Sequence, residues 1–574
     1  MSSTETDLAQ AALQTFDQVV QSSDGFRGRA GQRRMAEQVA HTFSSAQLGK
    51  PEGDNVAPLR AIAVIQAGTG VGKSLAYCAP AIALALARNT RVLISTATVA
   101  LQEQLVNKDL PALAAQLAQP FNFALAKGRG RYVCKLKLER LAGTGEAHDE
   151  DEGDLFPEEA FAARPQHETE ARLQFYAAMA QTLSSGAWDG DRDSLDTPPE
   201  LEVWSPVAAE GATCTGKHCP AFNQCTYYDK RKELVGAQVI VANHDLLLSS
   251  LGARMLPELD NCLLVLDEAH HLPAIALGQF ACSMDLSRLN WIDRLASRSL
   301  RIGQIVQVPE IADIARHASQ LRQHLQDLAK LVMDVYGEAL RQPAPRWGGP
   351  NSKPPPSRVR VPRGELPEAL LEPLTQLSLH ANGFLECLRA ISKALRAEMR
   401  DKPDEARRLS QLYAQIGMLA PRLEHASDTA QLLLQHAPDD APANYVPPAK
   451  WFTLELDGDF ILVKAHASPI LPGAALRRHL WSSVRGAVLT SATLTSCGEF
   501  DFFMHESGLH GDDAATTLEV ASPFNYAAQG TLIAAETHAE PREAARFTAE
   551  MVDALLNDLA QVKAGALVLF TSRE

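Results

Sequence analysis

A glycine-rich stretch near the N-terminus has the residue types and the spacing that capture a phosphate group. The apolar run 61–65 is followed by Gln66, Ala67, Gly68, Thr69, Gly70, Val71, Gly72, Lys73 and Ser74, and an apolar helical segment begins at residue 75. Strand, glycine-rich turn and helix in this order form a P-loop, whose backbone N–H groups surround a phosphate at the positive end of a helix. Lys73 would reach the β- and γ-phosphates of ATP, and the Ser74 hydroxyl would bind Mg²⁺. Ala67 stands where the strict pattern has glycine, so the match is to a relaxed form.

Two carboxylates at the end of a second apolar run supply the acidic partner that a P-loop requires. Residues 263–266 are all aliphatic, and Asp267, Glu268, Ala269 and His270 follow them. We expect Asp267 to bind the Mg²⁺ of the nucleotide, and Glu268 to orient and activate the attacking water. A pair of surface acids is the alternative, which the P-loop upstream disfavours.

Four of the nine cysteines are grouped as a metal site would require. Cys214, Cys219 and Cys225 lie within twelve residues, and Cys134 is in the most basic stretch of the chain, residues 127–137. Four thiolates can hold either one zinc ion or a [4Fe–4S] cluster. The Cys-x₄-Cys-x₅-Cys spacing favours iron and leaves zinc as the alternative. The other cysteines are scattered, mostly in apolar runs, and we predict that they fill the core: Cys78, Cys262, Cys282, Cys387 and Cys497.

The segments between these motifs predict the sheet that positions them. Short apolar runs near residues 61–66, 92–96, 121–126, 237–242, 263–266 and 486–491 predict a parallel α/β sheet. Ligands bind such sheets beyond the carboxyl ends of the strands, where the P-loop, Thr98 and Gln102 fall. Capping of a helix is the alternative role for Thr98. Residues 272–448 are predicted to be mostly helical, interrupted by a loop at 343–363 that is rich in Pro, Gly, Arg and Lys and is a candidate for DNA contact.

Composition sets limits on the function. With 574 residues the chain should contain several domains. No apolar run reaches the length of a membrane span, and the polar N-terminus lacks a signal-peptide core, so we expect a cytoplasmic protein without membrane contact. A net charge of −15 requires any nucleic-acid contact to use local basic patches. Residues 127–137 are such a patch, and Tyr132 within it could stack on a base.

Several features together resemble one helicase family. The P-loop, Asp267-Glu268-Ala269-His270 and Ser491-Ala492-Thr493 occur in this order at strand ends, as in superfamily II helicase motors. The cysteine set lies between the first two motifs, and a helical insert lies between the second and the third. Gly-Arg-Gly-Arg-Tyr-Val-Cys at residues 128–134 leads into the first thiol. The chain from about residue 32 to 572 thus resembles the DinG branch of the XPD-like iron–sulfur DNA helicases of bacteria.

The resemblance implies an activity and roles for individual residues. It implies ATP-driven, 5′-to-3′ unwinding from single-stranded or forked DNA, in repair and in replication–transcription conflict, by a monomer at the bacterial nucleoid. The resemblance does not imply any particular protein partner. Lys73, Ser74, Asp267 and Glu268 would carry the roles given above. Further roles are implied for other residues: coupling of hydrolysis to movement for His270, Ser491 and Thr493; reading of the nucleotide base for Gln32; strand contact for Thr98 and Gln102; and [4Fe–4S] ligation for Cys134, Cys214, Cys219 and Cys225.

The resemblance also divides the chain. We expect a first RecA-like helicase domain in three parts, residues 1–127, 234–275 and 449–493, interrupted by an iron–sulfur domain at 128–233 and an all-helical arch domain at 276–448. Residues 494–574 would begin a second RecA-like domain, with strands near 531–534 and 566–572 and a helix at 541–562. Because such motors take an arginine for the γ-phosphate from the end of that domain, we expect residues 1–574 to bind nucleotide and DNA but to hydrolyse ATP poorly.

Two other functions remain open on the residues alone. An RNA-directed DEAH-type ATPase with a structural zinc would share the Asp-Glu-Ala-His string, although the cysteine positions and the helical insert count against it. A non-catalytic DNA-binding module would fit an incomplete motor, although Lys73, Asp267 and Glu268 are all present.

Overall fold

The computed structural model describes residues 3–22, 29–50, 58–143, 166–251, 255–342, 355–436, 446–457 and 460–569. Its strands are β1 (Ala61–Ala67), β2 (Arg91–Thr96), β3 (Phe123–Leu125), β4 (Val239–Asn243), β5 (Cys262–Asp267), β6 (Cys282–Asp285), β7 (Ser357–Arg360), β8 (Ala449–Asp457), β9 (Phe460–Ser468), β10 (Gly486–Ser491) and β11 (Ala515–Val520). They form two sheets, one with the order β11-β1-β10-β5-β2-β4-β3 and one with the order β6-β9-β8-β7.

The seven-stranded sheet confirms the predicted α/β class. All of its strand pairs are parallel. Its central strands are aliphatic and buried on both faces, as parallel sheets require. Alternate residues face opposite layers: Ala63 and Ile65 contact one core, and Ile62 and Val64 contact the other. Burying one such side chain contributes about 1.5–3 kcal/mol, so these two cores supply much of what holds the sheet together.

Helices cover both faces of this sheet. The first core is built with the helices Ser3–Ser22, Ala30–Ser45, Lys73–Ala87 and Leu110–Gln116. The second is built with His244–Ser249, Leu272–Phe280, Gly473–Leu476 and Asp501–Ser507. The short helix Val99–Gln104 follows β2, and Tyr526–Gln529 and Ala544–Leu559 follow β11.

Strand order decides which motifs meet. β10 lies between β1 and β5, with Gln66 opposite Ser491 and Thr490 opposite Asp267. The carboxyl ends of these three strands therefore carry the P-loop, the serine of Ser-Ala-Thr and the two carboxylates side by side.

The region around the cysteines has a small core of its own. The helices Lys135–Leu141, Gln166–Ser184, Leu201–Trp204 and Thr226–Gly236 lie here. Val133, Tyr176, Trp188 and Trp204 are buried together, and the two tryptophan rings meet edge to face. This core is separate from the two cores of the parallel sheet, so the segment can hold a site of its own.

The insert that was predicted to be all-helical also contains strands. The helices Asn290–Ile305, Ile314–Arg341, Glu368–Asp401, Ala406–Gly417 and Ala420–Leu434 form most of it. In addition, β6 and β7 come from this span and pair antiparallel with the long hairpin β8–β9. β6 and β7 have only four residues each, too few for a strand pattern to stand out, and their partners come from after residue 448. Part of the predicted loop at 343–363 is thus a strand, and its residues 343–354 lie outside the described residues.

The parallel sheet extends beyond the boundary expected at residue 494. β11 pairs with β1 from Ile62 to Ala67, and Val520 is buried with the first core. The predicted C-terminal helix is present as Ala544–Leu559. Residues 531–534 form no strand with the described part of the chain, and Leu532 is 98% exposed. A strand needs a neighbour for its backbone groups, and no described segment offers one there. The end of the expected strand at 566–572 lies outside the described residues.

Among the described residues, no helix is both long and apolar enough to cross a membrane.

The attachment of β11 can be tested on two residues of that strand. Val520→Ala should lower the free energy of local unfolding by about 2 kcal/mol, because the substitution leaves a cavity in the first core. The measurement is hydrogen-exchange protection of the β1 amides in urea. Thr517→Ala, on the exposed side of the same strand, should change the free energy of local unfolding by less than about 0.5 kcal/mol. Equal effects of the two variants would show that β11 does not pack in this core.

Candidate functional site

The P-loop has the backbone that its glycines predict. The helix begins at Lys73, directly after Gly72, and Gly70 and Gly72 have φ values of 81° and 87°. These values lie in the left-handed region, which glycine adopts without strain. A Cβ at Gly72 would overlap the amide of Gln32, and a Cβ at Gly70 would overlap the Phe524 ring. Both positions therefore require glycine for conformation and for space.

Lys73 and the two carboxylates lie together at the strand ends. The Lys73 Nζ donates to the Glu268 Oε1 at 2.9 Å. The Tyr77 hydroxyl donates to the Asp267 Oδ2 at 2.9 Å, and the Glu268 N–H donates to the Asp267 Oδ1. Glu268 has a φ of 50°, which is unusual for a residue other than glycine and marks a sharp turn after β5. This turn directs the two carboxylates to different partners.

The two carboxylates differ in their environments. Asp267 is only 7% exposed, and burial raises its pKa although Lys73 acts to lower it. Burial also acts on Glu268, but the hydrogen bond and charge of Lys73 outweigh it and lower the pKa of Glu268 overall. Glu268 is therefore ionised at neutral pH and able to accept a proton.

His270 and Ser491 extend this contact into a chain of hydrogen bonds. The Ser491 hydroxyl donates to the Glu268 Oε2 at 3.1 Å, and the His270 Nδ1 lies 2.6 Å from the same hydroxyl oxygen. Since a serine hydroxyl has one proton, donation to Glu268 leaves it to accept from the His270 Nδ1–H. The structure thus brings Lys73, Glu268, Ser491 and His270 into one continuous contact. Thr493 joins it through its backbone, since the Thr493 N–H donates to the Ser491 Oγ at 3.4 Å.

Three other residues that were predicted to contact ligands are buried or form hydrogen bonds within the protein. Gln32 is buried and its side chain donates to the Gly72 carbonyl at 3.0 Å. Thr98 caps the helix that follows it, accepting from the Leu101 N–H at 3.3 Å. Gln102 is buried. Base reading by Gln32 and strand contact by Thr98 and Gln102 stay predictions.

A segment that the sequence did not connect to the site lies on the P-loop. The Ser522 hydroxyl donates to the Thr69 carbonyl at 2.7 Å, and the Tyr526 hydroxyl lies 2.5 Å from the Thr69 Oγ1. Phe524 covers Gly70. We call residues 522–526 the P-loop strap. Its Ser-Pro-Phe turn is visible in the sequence, but only the pairing of β11 with β1 places it here.

A buried histidine below the carboxylates was also missed. His244 follows β4, is fully buried, and its Nδ1 lies 2.7 Å from the Ser95 Oγ at the end of β2. Burial lowers the pKa of His244 to about 4, so the ring is neutral at physiological pH. It joins two strand ends of the site without carrying charge.

The four grouped cysteines share one environment. Each thiol accepts a hydrogen bond from a backbone N–H two or three residues further along, at Lys137 for Cys134, Gly216 for Cys214, Ala221 for Cys219, and Tyr227 and Tyr228 for Cys225. Two of the scattered cysteines do the reverse, since Cys262 and Cys282 donate to backbone carbonyls. Cys387 both donates to the Glu310 carbonyl and accepts from its own backbone N–H. Accepting from N–H groups is what stabilises a thiolate, whereas donation is the behaviour of a neutral thiol.

The four thiols are near one another without forming an ion-sized group. Burial is the largest cause that raises the pKa of Cys134, and the charges of Cys214 and Cys225 raise it further. Burial likewise raises the pKa of Cys219, and the charges of the other three cysteines add to this effect. Yet no three His, Cys, Asp or Glu side chains in the described ranges are close enough to hold a metal ion. Four thiols are the donor set of either a zinc ion or a [4Fe–4S] cluster, so the cluster stays a prediction.

The basic stretch beside Cys134 has fewer groups free for contact with DNA than its composition predicts. Tyr132 is only 4% exposed and packs edge to face against Tyr227, so stacking of a base on Tyr132 is wrong. Lys127 bonds to Asp191 at 2.7 Å and to Asp193 at 3.0 Å. These acids follow some sixty residues later in the chain and neutralise charge that looked free in the sequence.

Comparison with known proteins supports a family. A family model described as DEAD_2 matches residues 210–289. The ATP-dependent DNA helicase DinG of Photobacterium profundum is 31% identical over 565 residues, which cover 97% of this chain and 76% of that protein. DinG of Escherichia coli strain K12 is 30% identical over 560 residues, covering 95% and 72%. A solved structure described as XPD_Helicase matches with a TM-score of 0.38 at 13% identity, covering 94% of this chain and 71% of that one.

Identity of this level along nearly the whole chain, with the nucleotide motifs assembled at the ends of one parallel sheet, shows that the chain belongs to the DinG family of ATP-dependent DNA helicases.

Proposed function

We propose that the chain belongs to a motor that couples ATP hydrolysis to 5′-to-3′ movement on single-stranded DNA and to unwinding of forked duplexes in DNA repair and replication. Slow hydrolysis by residues 1–574 alone stays a prediction. The observation that carries the nucleotide chemistry is the hydrogen-bonded chain from Lys73 through Glu268 and Ser491 to His270. The direction of movement rests on the family resemblance. Action in the bacterial cytoplasm, as a monomer at the nucleoid, rests on the same ground.

In this proposal nucleotide binding rearranges the lysine. The Lys73 ammonium can reach the β- and γ-phosphates only by weakening its bond to Glu268. Glu268 is then free to accept the proton of the attacking water, while its other oxygen is still held by Ser491. Asp267 and Ser74 would hold Mg²⁺, which neutralises phosphate charge when bound.

Ser491 and His270 contact Glu268, so a change in the hydrogen bonds of Glu268 also changes theirs. Ser491 ends β10, the strand between the P-loop strand and the carboxylate strand. A change at Glu268 therefore alters the contact with His270 and Ser491 and reaches the residues after β10. We infer that this is the path by which hydrolysis affects DNA-bound elements.

The four cysteines would hold a [4Fe–4S] cluster. The support is chemical: these four thiols accept backbone hydrogen bonds, whereas Cys262 and Cys282 donate them. The cluster would tie Cys134, before the helix Lys135–Leu141, to the three cysteines ahead of the helix Thr226–Gly236. It would thus fix the segment that we assign to the iron–sulfur domain, residues 128–233.

Removal of the proposed base should separate binding from turnover. Glu268→Gln keeps an oxygen for Lys73 but cannot accept a proton, so the rate of phosphate release should fall about 10²–10⁴-fold. Nucleotide binding, measured by filter retention of labelled ATP, should stay within about threefold. Glu103→Gln, an exposed glutamate near the same sheet edge, is the control and should leave both quantities unchanged. A Glu268→Gln protein with normal turnover contradicts the assignment.

Loss of the serine in the chain should affect coupling more than chemistry. Ser491→Ala removes the hydroxyl that bridges Glu268 and His270 and leaves only their direct contact of 3.4 Å between the His270 Nδ1 and the Glu268 Oε2, so stimulation of ATP hydrolysis by single-stranded DNA should fall at least fivefold. Hydrolysis without DNA should change by less than about threefold, because Lys73 and Glu268 remain. Ser483→Ala, at an exposed position before β10, serves as control. An equal loss with and without DNA would assign Ser491 to the chemical step instead.

The metal content decides between iron and zinc. Protein purified without air should contain about four irons and four sulfides per chain, as a [4Fe–4S] cluster does. Cys219→Ser should lose them together, and Cys387→Ser, a buried thiol that donates to a carbonyl, should retain them. One zinc without sulfide would favour an RNA-directed ATPase. The comparison of DNA with RNA as stimulator of hydrolysis would then test that function.

A further inference from the structure

The start of the P-loop helix contacts both carboxylates at the end of β5. The helix spans Lys73–Ala87, and side chains four residues apart lie on the same face of a helix. Lys73 donates to the Glu268 Oε1 at 2.9 Å, and Tyr77, one turn later, donates to the Asp267 Oδ2 at 2.9 Å. Two consecutive carboxylates are thus joined to two consecutive turns of one helix.

The Tyr77 hydroxyl acts as a hydrogen-bond donor to Asp267. Tyr77 is fully buried. Burial, and after it the charge of Asp267, raises the pKa of Tyr77 well above its usual value. The phenol therefore keeps its proton at physiological pH, and that proton is directed at the carboxylate.

The orientation of the Asp267 carboxylate depends on this one side chain. Its Oδ1 accepts from the backbone N–H of Glu268 at 2.9 Å, which leaves the Oδ2 to be held by a side chain. Thr490 of β10 lies directly opposite Asp267 and is fully buried, but its hydroxyl has no hydrogen-bond partner among the described residues. Within the described part of the chain, Tyr77 is the only side chain that donates a hydrogen bond to Asp267.

The same phenol contacts the second residue that we expect to bind Mg²⁺. The Ser74 hydroxyl donates to Tyr77, which lowers the pKa of the phenol by less than burial raises it. A serine hydroxyl has one proton and two lone pairs, so this donation leaves lone pairs of Ser74 for a metal ion. Carboxylate and hydroxyl oxygens are ligands that suit the hard Mg²⁺ ion. Tyr77 therefore contacts both of the oxygen ligands that the site offers.

The alternative is that Tyr77 only fills the core under the P-loop helix. Its ring does pack in the first core, and a phenylalanine would fill the same space. A hydroxyl that is buried in an apolar core costs free energy unless it is hydrogen-bonded. The hydroxyl of Tyr77 is thus explained by the residues it bonds and not by packing.

We propose that Tyr77 is a positioning residue for Mg²⁺, whose hydroxyl holds Asp267 in a fixed place relative to Ser74 while Lys73 exchanges Glu268 for the phosphates of the nucleotide. This inference rests on the proposed function, since it concerns the Mg²⁺ site of the same motor. The contact between Lys73 and Glu268 must loosen for the lysine to reach a phosphate. The hydrogen bond from Tyr77 to Asp267 is the contact that keeps the helix and the end of β5 together through this exchange.

Removal of one hydroxyl group tests this role. The measurement is the affinity for labelled ATP by filter retention, over a series of Mg²⁺ concentrations and in EDTA. In Tyr77→Phe, the Mg²⁺ concentration that gives half of the maximal gain in affinity should rise about 10–100-fold, as expected when a metal-binding carboxylate loses its hydrogen-bond partner. The affinity in EDTA should stay within about twofold, because the backbone N–H groups of the P-loop and Lys73 are unchanged.

Tyr176→Phe is the matched control. Tyr176 is also fully buried, and its hydroxyl donates to the Val203 carbonyl at 2.8 Å in the separate core near the cysteines. This variant also loses a buried phenol hydroxyl, so its Mg²⁺ dependence should equal that of the unmodified chain. Three results would overturn the proposal: an equal shift in both variants, an equal loss of affinity by Tyr77→Phe with Mg²⁺ and in EDTA, or no change in Tyr77→Phe.

A double-mutant cycle tests whether Tyr77 acts through Asp267. Asp267→Asn should itself reduce the gain in affinity from Mg²⁺, and the addition of Tyr77→Phe should then change that gain by less than about twofold, because the two residues act as one unit. Additive losses would show that Tyr77 acts elsewhere and would contradict the positioning role. If the unmodified chain gains no affinity for ATP from Mg²⁺, the proposed function fails together with this inference. If it gains affinity and Tyr77→Phe behaves as the unmodified chain does, the function stands and the role of Tyr77 fails.

Discussion

The position of β10 between β1 and β5 is the constraint on which the candidate site depends. It places the Ser491 hydroxyl between the strand that leads to Lys73 and the strand that ends in the two carboxylates. The lysine–glutamate contact alone would be an ordinary ion pair. Because Ser491 holds the second oxygen of Glu268, the carboxylate keeps a fixed orientation while its first oxygen changes partners. The same hydroxyl contacts the His270 Nδ1, so a change of partner at Glu268 also changes the surroundings of His270.

Much of the site and of its sheet could be predicted because their signals are local. A fully buried parallel strand is a run of aliphatic residues, as at residues 263–266, and a P-loop needs glycines at fixed offsets before Lys73. Both patterns lie within about ten residues of sequence. The α/β class is confirmed, and the family is shown by relatives of about 30% identity. The roles of the individual residues stay predictions that the hydrogen bonds support.

The features that could not be predicted from the sequence depend on contacts between segments that are far apart in the chain. Tyr132 looked available for a base, but Tyr227, almost a hundred residues later, covers it. Lys127 looked free, but Asp191 and Asp193 neutralise it. The four-residue strand β7 has too little periodicity to be seen, and it is defined by its hydrogen bonds to β8. Local sequence patterns do not show which distant residues will be in contact, and the propensities of single residues do not predict these contacts.

The pairing of β11 with β1 has a mechanical consequence. The two strands run parallel and are joined along their length from Ile62 to Ala67, and the P-loop strap follows at the far end. A pull on the chain after Tyr526 therefore loads β11 in shear against the strand that ends in the phosphate-binding turn. Many hydrogen bonds share such a load at once, so this edge of the sheet resists it stiffly. Any displacement of the C-terminal segment is thus transmitted to the nucleotide pocket rather than absorbed by a flexible hinge.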